Sequence, residues 1–171
     1  MRIQYESSTK MPDSMELDRA DLALLAHLQT GGRLTNAELA ERVNLSPSAC
    51  LRRVQRLERE GVISGYGAHL DPKRIGLGLQ AFVRLQLLHR EPAQVEHFAE
   101  LVNAWDEVVS CHALTGDVDY ILHVAVADLD HFSRFLLDRL LREDCVANVN
   151  SSVVLRVVKA GRSLPLSAVR T

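Results

Sequence analysis

Between Leu45 and Tyr66 the chain reads LSPSACLRRVQRLEREGVISGY. Ser46 before a proline is a typical helix start, because the hydroxyl caps free N–H groups and a proline at the first helical position loses no hydrogen bond. Apolar residues then recur at helical spacing from Cys50 to Leu57, and a glycine ends the pattern. The stretch therefore predicts a helix with one buried face and one polar face.

Two further helices are predicted upstream of this one. The first opens with Asp18 and Asp21, a pair that can cap a helix start, and the second opens with the capping box Thr35-Asn36-Ala37-Glu38. The buried stripe of the first helix is predicted to contain Leu22, Leu25 and Leu28. Only two residues separate the second helix from the serine that caps the third, and two short helices joined in this way are typical of a helix-turn-helix.

The polar face of the third helix is strongly basic. Arginines at positions 52, 56 and 59 recur at helical spacing and are expected to share one solvent face. Guanidinium groups pair with phosphates and read guanine edges bidentately. Because the formal net charge of the chain is only -2, attraction to nucleic acid has to come from this local charge. The helix therefore predicts binding to double-stranded DNA.

Six residues of this helix are the candidates for DNA contacts: Ser46, Ser48, Arg52, Arg53, Arg56 and Arg59. The two serines and the free N–H groups of the helix start suit a phosphate. A recognition helix contacts bases through its N-terminal half, so Ser48 and the first two arginines are predicted to read bases. The last two arginines are predicted to touch the DNA backbone. The alternative is an ordinary solvated face with arginine–glutamate pairs.

Strands and helices alternate in the second half of the chain. Residues 79–87 alternate apolar and polar side chains, which is typical of a half-buried strand, and further strands are predicted over 108–115, 120–127 and 149–157. With the helices between them, the order is βαββαβ, a ferredoxin-like domain. The predicted fold class is α+β, an N-terminal winged helix-turn-helix joined to a C-terminal ferredoxin-like domain. A short β segment at 62–70 would be the wing.

These patterns predict five segments. They are a disordered extension over 1–14, a winged helix-turn-helix DNA-binding domain over 15–70, a linker over 71–78, a βαββαβ oligomerisation domain over 79–160 and a C-terminal tail over 161–171. Regular patterning begins at Met15, so that residue is an alternative start of the protein.

One face of the predicted sheet has no helix to cover it. It is expected to carry the apolar residues Phe82, Leu88, Ile121, Ala125, Val154 and Val158. Such a face is too apolar to remain in water, so a partner subunit is expected to cover it. The sequence therefore predicts a homodimer.

The composition argues against several other classes of protein. The three cysteines are far apart and form no C-x-x-C pair, so neither a disulfide framework nor a zinc site is indicated. No run of about 18 apolar residues is long enough to span a membrane. No paired carboxylates, activated nucleophile or glycine-rich phosphate loop can be assembled. We therefore expect a cytoplasmic protein without metal, cofactor or catalytic residues.

Two long motifs resemble the Lrp/AsnC, or feast/famine, transcription regulators. They are the 45–66 stretch and Cys111-His-Ala-Leu-Thr-Gly-Asp-Val-Asp-Tyr120, and the Asp18-Arg-Ala-Asp21 start is similar as well. The resemblance runs from about Leu17 to Leu164. It implies a nucleoid-associated regulator that binds promoter or operator DNA, dimerises through its sheets, assembles into higher oligomers such as a tetramer of dimers, and binds an amino acid between dimers.

The resemblance also implies an effector site around Gly116. The predicted residues are Leu114, Thr115, Gly116, Asp117, Asp119 and Tyr120, with Ser151 and Ser152 as weaker candidates contributed by a facing subunit. Glycine lets the backbone approach a ligand closely, its neighbouring N–H groups suit a carboxylate, and Asp117 or Asp119 suits an ammonium. Without the resemblance, Gly-Asp-Val-Asp is simply a tight hairpin turn. An architectural DNA-organising protein without an effector is the alternative function.

Overall fold

The computed structural model describes residues 16–31, 34–161 and 163–169. The predicted extension over 1–14 and the alternative start at Met15 lie outside the described residues. The chain forms two compact units, one of which contains the residues up to Ala68 together with those from Ala160 onward. The other unit runs from His69 to Lys159. The segment after Ala160 is thus part of the first unit.

Three helices build the first unit: α1 (Arg19–Thr30), α2 (Asn36–Arg42) and α3 (Pro47–Arg59). All three predicted caps are confirmed. The pairs Asp18/Asp21 and Thr35/Glu38 both form complete capping boxes, and the Ser46 hydroxyl accepts a hydrogen bond from the Ala49 N–H at 3.3 Å. Each cap satisfies N–H groups that a helix start leaves without partners.

The helices of the first unit pack around a small apolar core. Its fully or nearly fully buried residues are Leu24, Leu39, Ala40 and Cys50. Of the stripe predicted on α1, Leu25 is buried, whereas Leu22 and Leu28 are only half-buried, because the helix turns Leu24 into the centre of the core.

A short turn between α2 and α3 completes the helix-turn-helix. Asn44 adopts a left-handed conformation there, with φ of 53°, which asparagine tolerates better than most residues. The Leu45 N–H then donates to the Ala40 carbonyl at 2.9 Å, and the Asn36 amide donates to the Pro47 carbonyl at 2.9 Å. These bonds fix the start of α3 against α2.

The β segment predicted at 62–70 is absent from the described structure: these residues form no strand. They fold back on α3 instead, where the Ile63 N–H donates to the Leu57 carbonyl at 3.1 Å and the Tyr66 hydroxyl donates to Glu58 Oε1 at 2.8 Å. Desolvation of the phenol and its bond to the Glu58 carboxylate raise the pKa of Tyr66 to about 12. Gly65, with φ of 159°, lies between these two contacts.

The C-terminal segment is hydrogen-bonded to the side chain of Gln29 on α1. The Leu164 N–H donates to Gln29 Oε1 at 2.6 Å, and Gln29 Nε2 lies 3.4 Å from the Leu164 carbonyl. A 3₁₀ turn (Leu166–Ala168) follows. The side-chain amide of Gln29 thereby pairs with both the backbone N–H and the backbone carbonyl of Leu164, as a residue of a neighbouring strand would.

The second unit has the predicted βαββαβ order. Its elements are β1 (Leu79–Leu87), α4 (Pro92–Ala104), β2 (Val108–Ala113), β3 (Tyr120–Val126), α5 (Leu129–Arg134) and β4 (Val146–Val153). Helix α5 continues through a π-helical turn (Phe135–Arg139) and a 3₁₀ turn (Leu140–Arg142). The strands form one antiparallel sheet in the order β2-β3-β1-β4. β4 begins and ends earlier than predicted, because Val153 already pairs with Ala81, near the start of β1.

The helices cover one face of this sheet and enclose the core. Ala81, Val83 and Leu85 of β1 are buried there, as the alternation predicted. Aromatic residues fill the space between sheet and helices: the ring of Phe98 lies 4.8 Å from that of Tyr120, and the ring of Trp105 lies 5.6 Å from that of Phe135. Such buried aromatic pairs add to the free energy gained from burial itself.

The other face of the sheet is more polar than predicted. Phe82 is 43% exposed and stacks on His123 at 5.0 Å, but Arg84 beside it donates to Asn150 Oδ1 at 2.7 Å. The strand residues on this face are mostly polar: Gln80, Arg84, Gln86, His112, His123, Asn148, Asn150 and Ser152. Of the six predicted apolar residues, Leu88, Val154 and Val158 lie beyond the strand ends, because β1 and β4 stop before them. Phe82, Ile121 and Ala125 lie on this face as predicted, whereas the prediction that Leu88, Val154 and Val158 belong to the sheet is wrong.

Candidate nucleic-acid interface and effector loop

One exposed stripe runs the length of α3. Ser48, Arg52 and Arg59 are exposed on it, as predicted. Gln55 is also exposed and lies in the same row, because positions 48, 52, 55 and 59 follow helical spacing. Gln55 is not among the predicted DNA contacts, although its spacing of three residues from Arg52 indicates the same face of the helix. We call Ser48, Arg52, Gln55 and Arg59 the exposed stripe.

The stripe begins at the capped start of α3. Ser46 is the cap residue, and its hydroxyl lies 3.3 Å from that of Ser48. Both serines are exposed, next to N–H groups of the first helical turn, which favour an anion. Arg59, at the other end, pairs with Glu60 at 3.3 Å on the surface, a contact that salt and solvent weaken.

The other two arginines of α3 do not lie on the stripe. Arg53 Nη1 lies 2.8 Å from Asp18 Oδ2 and 2.9 Å from Asp21 Oδ1, and Arg56 Nη2 lies 2.5 Å from Asp21 Oδ2. Arg56 was predicted to share a solvent face with the arginines at 52 and 59, and that expectation is wrong because Asp21 draws it towards α1. We call Asp18, Asp21, Arg53 and Arg56 the arginine–aspartate cluster.

Asp21 is the centre of this cluster. Its side chain is 0% exposed, and its carboxylate accepts from both guanidinium groups and from the Asp18 N–H at 3.2 Å. The Asp21 N–H and the Arg53 guanidinium hold the pKa of Asp18 below its usual value, against the opposing effect of partial burial. The hydrogen bonds to both carboxylates raise the pKa of Arg53.

The predicted effector residues lie on and beside a loop between β2 and β3. The loop spans residues 114–119 and is wider than the four-residue turn that was predicted. The Leu114 N–H donates to the Asp119 carbonyl at 2.8 Å and closes its base. Gly116 adopts φ of 112°, which only glycine adopts without strain. Thr115, Gly116 and Asp117 are exposed.

Asp119 points away from the exposed tip of this loop. Its Oδ2 accepts from the Leu87 N–H at 2.8 Å, and its Oδ1 lies 2.7 Å from Arg90 Nε. Its side chain is 16% exposed, and its own N–H donates to the Leu85 carbonyl at 2.9 Å. The carboxylate therefore holds the 114–119 loop to the end of β1.

Three of the predicted effector residues are remote from the loop tip within one chain. Tyr120 packs its ring on Phe98 in the core, and burial, with smaller contributions from Cys111 and Asp119, raises the pKa of its hydroxyl. Ser151 and Ser152 lie on β4 opposite Val83 and Phe82, with β1 and β3 between them and β2. The structure does not bring these serines to the loop of their own chain.

No group of three or more histidine, cysteine, aspartate or glutamate side chains in the described part of the chain is placed to hold a metal ion. Within the same residues, no helix combines the length and the apolar character needed to cross a membrane. Cys111 faces the covered side of the sheet opposite Leu122, and His112 faces the open side opposite Ile121. Burial raises the pKa of the Cys111 thiol to about 11.

The two halves of the chain match two family models. Residues 17–64 match a winged helix-turn-helix DNA-binding domain, and residues 80–164 match the Lrp/AsnC ligand binding domain. The leucine-responsive regulatory protein of Escherichia coli strain K12 is 40% identical over 157 residues, which cover 92% of this chain and 95% of that protein. The protein of the same name from Serratia marcescens is 40% identical over 149 residues, which cover 87% of this chain and 91% of that protein.

Solved structures agree with these matches. A transcriptional regulator from Neisseria meningitidis, in complex with L-methionine, has a TM-score of 0.85 and 48% sequence identity, and the match covers 88% of this chain and 97% of that chain. An AsnC family transcriptional regulator from Agrobacterium tumefaciens has a TM-score of 0.83 and 32% identity, with 88% and 98% covered. On the evidence of its two domains, these relatives and its fold, the chain belongs to the Lrp/AsnC family of DNA-binding transcription regulators.

Proposed function

We propose that the protein is a sequence-specific regulator that binds promoter or operator DNA in the nucleoid and responds to an amino acid. The exposed stripe on a capped, basic α3 is the observation that carries the proposal. The N-terminal half of such a helix enters the major groove. Ser48 and Arg52 lie in that half and read base edges, because arginine pairs bidentately with guanine. Gln55, less than one turn further along the exposed stripe, extends this reading surface, because glutamine pairs bidentately with adenine. Ser46 and Arg59 contact phosphates.

A DNA-binding assay on the protein's own promoter region tests this division of roles. Affinity should fall steeply as salt is raised, because the protein releases counterions from the phosphates that it contacts. Arg52→Ala should cost about 1–3 kcal/mol on the preferred sequence and relax the base preference, and Arg59→Ala should weaken all duplexes alike. If both variants lose the same affinity on specific and random DNA, the division of roles is wrong.

The effector is proposed to bind at the tip of the 114–119 loop. Asp117 is exposed and suits the ammonium of an amino acid, and the N–H groups beside Gly116 suit its carboxylate. Leu114 is 42% exposed and, with Thr115, would line the site. Asp119 and Tyr120 would shape it from behind, and Ser151 and Ser152 would come from a facing subunit. The methionine complex of the Neisseria meningitidis regulator supports an amino acid, with methionine as the first to test.

A thermal-shift screen of the amino acids tests the effector proposal. A ligand at about a hundred times its Kd stabilises the folded protein by roughly 2.7 kcal/mol, which such a screen detects. Asp117→Asn should abolish the shift, and Asp130→Asn, an exposed aspartate at the start of α5, is the matched control. If no amino acid shifts the melting temperature while DNA binding persists, the alternative of an architectural DNA organiser is favoured.

We also propose that the open face of the sheet lies against a second copy of the chain, and that dimers assemble further, for example as a tetramer of dimers. Phe82 at the middle of this face is partly exposed, and an apolar run continues beyond β4, with Leu155 98% and Val158 84% exposed. Exposed apolar side chains such as Phe82, Leu155 and Val158 are candidates for burial at such an interface, alongside the polar residues of the open face. Light scattering of the wild type and of Phe82→Asp measures the assembly size, and an unchanged mass would contradict this interface.

A further inference from the structure

We propose that Asp21 is a positioning residue for DNA recognition: it holds Arg53 and Arg56 against α1, away from DNA, and so sets which face of α3 is presented to the groove. This inference rests on the proposed function. Arg53 and Arg56 then contribute to binding only through the orientation of α3. Two of the four arginines on α3 are thereby removed from the set that meets DNA.

The geometry of α3 supports this assignment. At about 100° per residue, Arg53 lies roughly 130° and Arg56 roughly 70° around the helix axis from the centre of the exposed stripe. Both reach the same carboxylate, at 2.9 Å and 2.5 Å. Two contacts one turn apart on α3 restrict rotation of that helix about its own axis more than one contact would. The position of the stripe is therefore tied to Asp21.

The charges of the arginine–aspartate cluster balance. It contains two guanidinium groups and two carboxylates, all joined by ion pairs of 2.5–2.9 Å. Within the described residues Arg52 has no ion-pair partner, and Arg59 has only its exposed contact with Glu60. The positive charge that α3 offers to phosphates therefore comes from Arg52 and Arg59.

Burial makes the cluster hard to rearrange. The Asp21 side chain is 0% exposed, so its charge is stabilised by the two arginines and not by water. Arg56 Nε is buried and has no hydrogen-bond partner in the described structure. The pairing of the guanidinium with Asp21 therefore keeps this nitrogen away from water. Moving Arg56 out to a phosphate would leave Asp21 Oδ2 with only the Asp18 N–H, at 3.2 Å, as its partner.

Salt-dependent DNA binding measures whether these arginines touch phosphates. The slope of log K against log salt changes by about 0.9 for each phosphate contact that is lost. We expect Arg59→Gln to reduce the slope by about 0.9, and we expect Arg53→Gln and Arg56→Gln to leave it unchanged. The reverse result, with a loss of about 0.9 for Arg53→Gln and for Arg56→Gln, would overturn the proposal.

Removal of the buried charge tests the positioning role itself. Asp21→Asn keeps the shape of the side chain but removes the charge that both guanidinium groups pair with, so α3 is held less firmly and affinity for the preferred site should fall about tenfold, the equivalent of roughly one base contact. Affinity for random duplexes should hold or rise, with a salt slope steeper by up to about 0.9. The control is Asp18→Asn, which alters the partner that is 54% exposed and should change both affinities less than twofold.

Each outcome of these experiments has one interpretation. If Asp21→Asn lowers affinity for specific and random DNA equally without changing the slope, Asp21 is merely structural and the inference fails. If Asp21→Asn does not fold, as judged by circular dichroism, the salt slopes of Arg53→Gln and Arg56→Gln test the inference by themselves. Each of these variants is expected to fold, because Asp21 keeps one arginine as its partner. If the wild type binds no duplex at low salt, the proposed function fails before the inference is reached.

Discussion

Replacing Asp119 is expected to destabilise the second unit far more than replacing its neighbour Asp117. The Asp119 carboxylate is the acceptor for the Leu87 N–H, at 2.8 Å, and for Arg90, at 2.7 Å. Asp117 is exposed and its side chain makes no such contact in the described structure. Asp119→Ala removes both contacts at once, whereas Asp119→Asn keeps an oxygen for the Leu87 N–H and loses only the charge.

The magnitude follows from the burial of the two partners. Leu87 is 6% exposed, so its N–H would be left largely without water, which costs about 1–3 kcal/mol. Arg90 is 66% exposed, so its ion pair contributes no more than about 0.5 kcal/mol after solvent screening. Asp119→Ala should therefore lower the free energy of unfolding by roughly 1.5–3 kcal/mol, Asp119→Asn by less than about 1 kcal/mol, and Asp117→Ala by less than about 0.5 kcal/mol.

Urea unfolding followed by tryptophan fluorescence is the assay. The chain has one tryptophan, and Trp105 is buried in the core of the second unit, so the signal reports that unit. Hydrogen exchange of the Leu87 amide provides a local readout and should accelerate in Asp119→Ala only. Equal destabilisation by the alanine variants at 117 and 119, or an unchanged Leu87 exchange rate, would refute the assignment of Asp119 as the anchor of the loop.

Three further predictions concern the second unit and the C-terminal segment. Burial opposes ionisation of Glu107, but the bond from its backbone N–H and the charge of Arg139 lower its pKa overall. The ionised carboxylate therefore stabilises the fold above the ordinary pKa of 4.5, and this stabilisation is lost as pH falls. The difference in unfolding free energy between wild type and Glu107→Gln should shrink below that pH, and a difference that grows there would contradict the prediction. Phe98→Ala, at a fully buried position, should cost about 3–5 kcal/mol in urea unfolding, and a cost below about 1 kcal/mol would show that the core is misassigned. Gln29→Ala should speed protease cleavage of the C-terminal segment, because it removes both bonds to that segment, whereas Gln55→Ala, on exposed α3, should not.

Local patterns were sufficient to predict the helices of the first unit. The boxes at Asp18 and Thr35 and the Ser46 cap each depend on residues within three positions of one another, so the sequence determines them directly. The same holds for β1, whose period-two alternation reflects burial on one side only. The element order of the second unit followed from these periods.

Features that depend on distant residues were not predictable in this way. Arg56 meets Asp21 across 35 positions, and periodicity within α3 could only place that arginine on a polar face. The expected β segment at 62–70 begins with the apolar residues Val62 and Ile63, but Tyr66 pairs with Glu58 instead of with another strand. The open face of the sheet was misjudged because three of its predicted residues follow strand ends that only the pairing register of β1 and β4 fixes.

The pairing of Gln29 with Leu164 has a consequence for the order in which the protein is made. The two residues are 135 positions apart, so a ribosome that has finished α1, α2 and α3 must still produce the whole second unit before this pairing can form. The first unit then folds in two stages, its helices early and its closing contact late. Because the segment after Ala160 belongs to the first unit, a reporter protein fused behind that segment needs a long flexible linker if the DNA-binding unit is to be spared.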